Sequence, residues 1–320
     1  MISWRMAAAV AALGFLNFQG TTCRSPGQSE GGAAPSQTTK VVTLEGVDTS
    51  ELTTREKHEW SSYVSELLAP CASQPVSLEQ CVREKRSCTA CVPAARYLMD
   101  QVRRGKARSQ IEAGFRERFA PDRVSNIPIL GSPAKGPANA PVVIVEWADF
   151  ECPACQAAVS VLEELLRKHP DSVRLVFKNY PLSIHPNSEI AARAAVAADK
   201  QGAFWRMHPL LFEHGAPLDR AALEKIARSA GLDMRRFIKD LESEEVADLV
   251  TRDRKQGDAA HLTGTPTLYI NGRKFYSSAD FMEDLEDWVL LEIELKTGVR
   301  PAVAADSGRT DKPAVPKPEP

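Results

Sequence analysis

Cys152-Pro153-Ala154-Cys155 sets two thiols three residues apart, about one turn if the segment is helical. The pair follows Val142-Val143-Ile144-Val145, an unbroken apolar run of the kind expected for a strand buried on both faces. Val159, Leu162, Leu165 and Leu166 continue behind it at helical spacing. A strand-to-helix junction would put Cys152 near the N-cap and Pro153 where its missing N–H costs nothing. Unpaired N–H groups and the positive end of the helix dipole favour a thiolate there. Cys155, one turn on, can close or open a disulfide with Cys152. One sulfur is attacked or attacks, and its neighbour resolves the mixed disulfide. The four residues alone also fit half a zinc site or a structural bridge; their place at the junction favours redox exchange.

Two distant features fit the same chemistry. Glu146 lies six residues before Cys152 on the expected buried strand. A desolvated carboxyl there would prefer to be protonated and could relay a proton to or from Cys155. Gly264-Thr265-Pro266-Thr267 opens a further strand, where an interior proline would lose a ladder bond. A cis peptide between Thr265 and Pro266 would solve this and expose the Thr265 backbone to an extended substrate peptide.

The seven cysteines fall into groups of one, four and two: Cys23; Cys71, Cys81, Cys88 and Cys91; Cys152 and Cys155. For the middle group the plain reading is two structural disulfides. The alternatives are a second redox pair at Cys88/Cys91, relaying to Cys152/Cys155 across a flexible Gly131–Pro141 connection, and a Cys₄ zinc site. Pro93 suggests that Cys88 and Cys91 precede their helix. His185, His208 and His214 have no spacing that makes a facing pair with a carboxylate, and read as surface or packing histidines.

The elements that must position these groups follow from pattern. Thr53-x-x-Glu56, Ser77-x-x-Gln80 and Ser109-x-x-Glu112 read as helix starts, and Gly105 as the end of a helix begun near Pro93. From about Ser125 strands alternate with helices: Val142–Val145, Val173–Phe177, a long helical stretch from Asn187 to His261, then Thr267–Ile270. The turn Asn271-Gly272, the run Lys274–Tyr276 and a helix from Asp280 to Leu295 close the pattern. Pro209 should kink or break the helix between Phe204 and His214.

The chain has 320 residues, 43% apolar and 26% charged, with a net charge of −2. That composition excludes a fibrous or wholly disordered chain and gives no basic surplus for nucleic acid. Arg5, the short apolar run Met6–Phe18 and small residues after it describe an export signal over 1–22 that is too short to span a bilayer. Cys23, followed by a Gly/Ser/Pro-rich stretch, resembles the lipid-accepting cysteine of bacterial lipoproteins, although Gly20 stands where such signals usually carry an aliphatic residue. The expected organisation is a signal at 1–22, a linker at 23–50, a helical Cys-rich module at 51–124, an α/β domain at 125–298 and a proline-rich tail at 299–320.

Glu146-Trp147-Ala148-Asp149-Phe150-Glu151-Cys152-Pro153-Ala154-Cys155, with Tyr180-Pro181-Leu182 and Leu262-Thr263-Gly264-Thr265-Pro266-Thr267, resembles the DsbA-like branch of the thioredoxin superfamily over about residues 125–297. The resemblance implies a thioredoxin fold with an all-helical insertion, no cofactor, and thiol–disulfide exchange on protein substrates. It makes Cys152 the nucleophile, Cys155 the resolving thiol, Glu146 the buried acid and Pro266 the cis-proline. Ala154 departs from the histidine that strong oxidants of the branch often carry, and Glu151 beside Cys152 should stabilise its thiolate less. Cys88-Thr89-Ala90-Cys91 with Arg103-Arg104-Gly105-Lys106 also resembles, over some 35 residues, the thiol-reductase subunit of cytochrome c maturation.

The expectation is thus an exported, lipid-anchored dithiol oxidase of the periplasm or cell envelope. Its partners would be reduced or unfolded exported proteins and a redox partner protein, with no nucleic acid and no membrane contact beyond the anchor. A disulfide reductase, or a non-catalytic scaffold or zinc-binding lipoprotein, is the alternative.

Overall fold

The computed structural model describes residues 40–277 and 281–301. The expected signal 1–22, Cys23, the linker up to residue 39 and the tail from 302 lie outside the described residues.

Four helices come first: α1 (Thr54–Glu66), α2 (Leu78–Arg83), α3 (Cys91–Arg103) and α4 (Arg108–Phe119). Thr53 and Glu56 close the capping box, with the Glu56 carboxylate accepting from Thr53 N at 2.7 Å. The Ser77 hydroxyl accepts from Gln80 N. Gly105, at φ +66°, follows the C-cap of α3 in a conformation that few other residues adopt. Ser109 is not a cap: it lies inside α4. Ala107 holds the cap position, and its N–H donates to Gln110 Oε1 at 3.0 Å, so Gln110 plays the part expected of Glu112 in the box.

Cys71–Cys88 and Cys81–Cys91 are disulfides. The pair Cys88/Cys91 expected as an alternative redox centre is therefore not formed. Cys91 is the first residue of α3, not ahead of it, and it reaches Cys81 of α2, whereas Cys88 takes Cys71 from the preceding loop. The sulfurs of Cys81, Cys88 and Cys91 lie within 4.8 Å of one another, but all are spent in these bonds. Two further expectations fail in this region. Residues 40–50 are not linker throughout, because Val42, Leu44 and Val47 are buried in the core of the helical module and Val42 N donates to Ser61 Oγ at 2.9 Å. Nor is 131–141 a free tether. Ala134–Lys135 forms β1 against the sheet, and Phe177 N donates to Pro133 O at 2.9 Å.

The sheet has the order β1, β3 (Val173–Asn179), β2 (Val142–Ala148), β4 (Thr267–Ile270), β5 (Arg273–Lys274). β2 and β3 are parallel and joined through α5 (Pro153–Lys168); β4 is antiparallel to β2. Alternation along β2 sorts its side chains. Ile144 packs with α5, and Val145 and Trp147 with the opposite cluster around Tyr180 and Tyr269. Glu146 and Ala148 share the face of Ile144, beneath the head of α5. β4 and β5 meet at Asn271-Gly272, both with positive φ, in the two-residue turn that their sequence calls for. A Cβ on Gly272 would sit 2.5 Å from Ser125 O, so the close approach requires glycine as much as the turn does.

Between β3 and β4 the chain inserts α6 (Ser188–Asp199), α7 (Phe204–His214), α8 (Arg220–Ser229), α9 (Met234–Leu241) and α10 (Glu244–Ala259). Pro209 does not break α7, which runs through it as one helix. The lost backbone bond and ring clash cost about 3 kcal/mol, and burial of Phe204, Met207, His208, Leu211 and Phe212 on both sides of the proline offsets it. The last helix, α11 (Phe281–Thr297), covers the sheet with Leu285, Trp288 and Val289 and also packs Leu291 into the core of the first four helices. Module and sheet thus have separate cores with one shared wall.

Candidate active site

Cys152 is the N-cap of α5 and Pro153 its first residue. The thiols of Cys152 and Cys155 are both free. Cys152 retains a little exposure, 8%, and its Sγ donates to Thr265 O at 3.5 Å. Cys155 is fully buried, and burial pushes its thiol far above the usual cysteine range; the Asp149 N–H, donating at 3.5 Å, and the nearby Thr265 hydroxyl offset this only in part. One thiol is reachable and the other is held neutral.

Glu146 is buried on β2, and desolvation raises its carboxyl to about 8. Its Oε1 has no hydrogen-bond partner, and ionising it would push Cys155 further up. An acid that is neutral at pH 7 and carries an unused oxygen beside a buried thiol can hold or release one proton. The peptide between Thr265 and Pro266 is cis, as the strand pattern suggested.

Two carboxylates that pattern alone did not single out organise the site. The Asp149 carboxylate accepts from Glu151 N, Leu182 N and His185 Nδ1, each at 2.8 Å. The Glu151 carboxylate accepts from Asn187 N and Leu218 N at 2.8 Å and from Asn187 Nδ2 at 3.1 Å. Burial works to raise Glu151, but the donors of Leu218 and Asn187 outweigh it and hold the carboxyl below its usual range. Its charge is thus spent on tying the inserted helices to the Cys152 loop, which tempers the expected effect on the Cys152 thiolate. The signal available in sequence was the Asp149-x-Glu151 pair abutting the cysteines.

Of the three histidines, His208 is buried among Phe150, Phe177, Phe204 and Phe212, and desolvation lowers it to about 3. His185 is bonded to Asp149 and His214 to a neighbouring carbonyl. Beside Cys152, Ala154, Val161, Pro266, Phe275, Tyr276 and Phe281 line an open groove of about 780 Å³. Cys71, Cys81, Cys88 and Cys91 lie in the helical module and contribute nothing to this site.

A family model described as thioredoxin matches residues 130–289, half of the chain. The chain belongs to this thioredoxin family. As a thioredoxin-family protein it is similar to parts of much longer chains. It is 43% identical over 143 residues to the Na(+)/H(+) antiporter NhaA 3 of Salinispora tropica, a match covering 44% of this chain and 22% of that protein. The match to the Na(+)/H(+) antiporter NhaA of Herminiimonas arsenicoxydans is 38% over 146 residues, covering 46% and 23%. The thioredoxin-family chain therefore spans less than a quarter of the length of these relatives. Among the described residues no helix is long and apolar enough to cross a membrane. Among solved structures it is similar to BdbD from Bacillus subtilis, with a TM-score of 0.48, 24% identity and coverage of 53% of this chain and 97% of that one. A thioredoxin-like oxidoreductase from Silicibacter pomeroyi DSS-3 gives 0.45, 28%, 49% and 90%.

Proposed function

We propose that this protein is a thiol–disulfide oxidoreductase acting through Cys152 and Cys155, and that it works as a dithiol oxidase on exported polypeptides. The observation that carries the reading is the pairing of a reachable Cys152 at the N-cap of α5 with a fully buried Cys155 beside the uncharged Glu146. In the disulfide state, a substrate thiolate attacks Cys152 Sγ. The Cys152–Cys155 bond breaks, and Cys155 leaves with the electron pair and takes a proton, for which Glu146 is the adjacent source. A second substrate thiolate then attacks the substrate sulfur of the mixed disulfide and releases Cys152 as a thiolate at the helix N-terminus. Substrate is oxidised by two electrons and the enzyme reduced by two; a partner protein must take them.

The apolar groove supports an unfolded polypeptide as substrate, and the Thr265 carbonyl beside Cys152 supports its extended binding. Two disulfides in the helical module support an oxidising compartment, in line with an export signal at 1–22 and an anchor at Cys23. The deciding experiment equilibrates the protein with glutathione redox buffers and quantifies the Cys152–Cys155 disulfide. A couple more oxidising than glutathione supports the oxidase. A more reducing couple assigns the same site to disulfide reduction.

A further inference from the structure

The groove beside Cys152 borders a second cavity at the segment after β5. Tyr276 and Ser277 line both, and the second, of about 350 Å³, is walled by α3, α4 and α11. Arg118 of α4 lines this second cavity and is only 7% exposed. Its guanidinium carbon sits 3.9 Å from the ring centre of Trp288 and 5.1 Å from that of Tyr97, in cation–π contact with both. Its Nη1 is buried with no hydrogen-bond partner. The charges of Glu292, Asp287 and Asp284 raise Arg118 and offset part of its burial. Arg104, on the same cavity wall, is by contrast paired with Glu283 and Asp287.

A buried cationic donor left unmade is costly, and a guanidinium edge pairs bidentately with a carboxylate, the anion that polypeptide side chains carry. Burial lowers Arg118 to about 10, so it still carries its charge at neutral pH. We propose that this cavity is a carboxylate subsite for the substrate polypeptide, in which a Glu or Asp side chain docks on Arg118 while the chain carrying it lies along the groove to Cys152. The assignment rests on the exchange reading of Cys152 and Cys155. It also gives the Cys-rich module a role in substrate binding, because the Cys81–Cys91 bond fixes the start of α3, which carries Tyr97 and one wall of the cavity. The adjacency of the two cavities, which share Tyr276 and Ser277, favours a side chain on a bound polypeptide over a free anion.

The test is a series of single-cysteine peptides, each made with Glu or Gln at a chosen distance from the cysteine, reacted with the full-length protein. At one or two spacings the Glu peptide should exchange about tenfold faster than its Gln twin, the size expected of one charge-assisted bond pair. Arg118→Gln should reduce that ratio to within twofold while leaving exchange with dithiothreitol unchanged. Should the variant fail to fold, the Glu-to-Gln comparison on the unaltered protein still decides. Equal rates at every spacing, or a preference that survives Arg118→Gln, would overturn the subsite. Free glutarate competing as well as the peptides would make it a small-anion site and overturn the polypeptide assignment. Absence of exchange with dithiothreitol and with every peptide would instead refute the oxidoreductase reading itself.

Discussion

The backbone N–H of Asp149 donates to the sulfur of Cys155 at 3.5 Å, while the carboxylate of the same residue binds Leu182 N and His185 Nδ1. The buried thiol is therefore positioned by the residue that also fastens the loop after β3. Two motifs well separated in sequence, Asp149–Cys155 and Tyr180–Leu182, meet through one side chain.

The asymmetry between the cysteines should show in alkylation. Cys152, at the helix N-cap and partly exposed, should react with iodoacetamide at least tenfold faster than the buried Cys155. Cys155→Ser should accumulate mixed disulfides with substrate, and Cys152→Ser should abolish exchange. Peptide mapping after brief alkylation checks the order. Faster labelling of Cys155 would reverse the assigned roles.

The parts of this site that were legible in sequence are those whose chemistry sits on short periodic segments. Cys152, Cys155 and Glu146 could be placed because a buried strand runs straight into a helix. The Asn271-Gly272 turn could be placed because few other dipeptides suit it. Asp149 and Glu151 were less legible because their roles depend on donors from Leu182, Asn187 and Leu218, which only tertiary packing brings close. Arg118 was hidden for the same reason, since Trp288 reaches it from α11, far along the chain. The connectivity of Cys71, Cys81, Cys88 and Cys91 depends on where α2 and α3 cross, which spacing does not encode.

Glu146 gives a pH signature with a defined sign. Its folded value, about 8, is raised above the unfolded 4.5. Below 4.5 both states are protonated and burial of the carboxyl carries no ionic penalty. Between 4.5 and 8 the unfolded chain gains ionisation that the folded one resists, so the stability contributed falls as pH rises through that window. Glu146→Gln should remove this slope and stabilise the protein at pH 8 by on the order of a few kcal/mol. It should also slow release of Cys155 and erase any rate inflection near pH 8. Urea unfolding at pH 4, 6 and 8 is the check; an unchanged slope would mean the carboxyl is hydrated.

Removing an upstream disulfide should separate stability from chemistry. Cys71–Cys88 closes a loop of 17 residues and Cys81–Cys91 one of 10. The double variant Cys71→Ser/Cys88→Ser should cost about 3 kcal/mol of folding stability. Its rate of exchange with dithiothreitol should stay within twofold of the unaltered protein, because the module holds no part of the Cys152 site. A rate loss of tenfold at a temperature where the variant is folded would reinstate the module in electron transfer.

Asp149→Asn tests the hub directly. Asparagine keeps one acceptor oxygen but replaces the other with an amide that can only donate. Asp149 Oδ1 serves Glu151 N, and Oδ2 serves Leu182 N and His185 Nδ1, so whichever way the amide turns at least one buried donor faces another donor. The amide should turn to the side that loses only Glu151 N, and one donor left unmade in a buried site costs about 1–3 kcal/mol, the loss expected in urea unfolding. Function should change in a particular place. Cys152 is held by the α5 cap and by Thr265, neither of which depends on the Asp149 carboxylate, so its alkylation rate should hold within twofold. Cys155, whose sulfur takes the Asp149 N–H, should resolve mixed disulfides more slowly, and these species should persist several times longer on non-reducing gels. A variant with equal stability and equal resolution would show that the Asp149 carboxylate is not what positions the buried thiol.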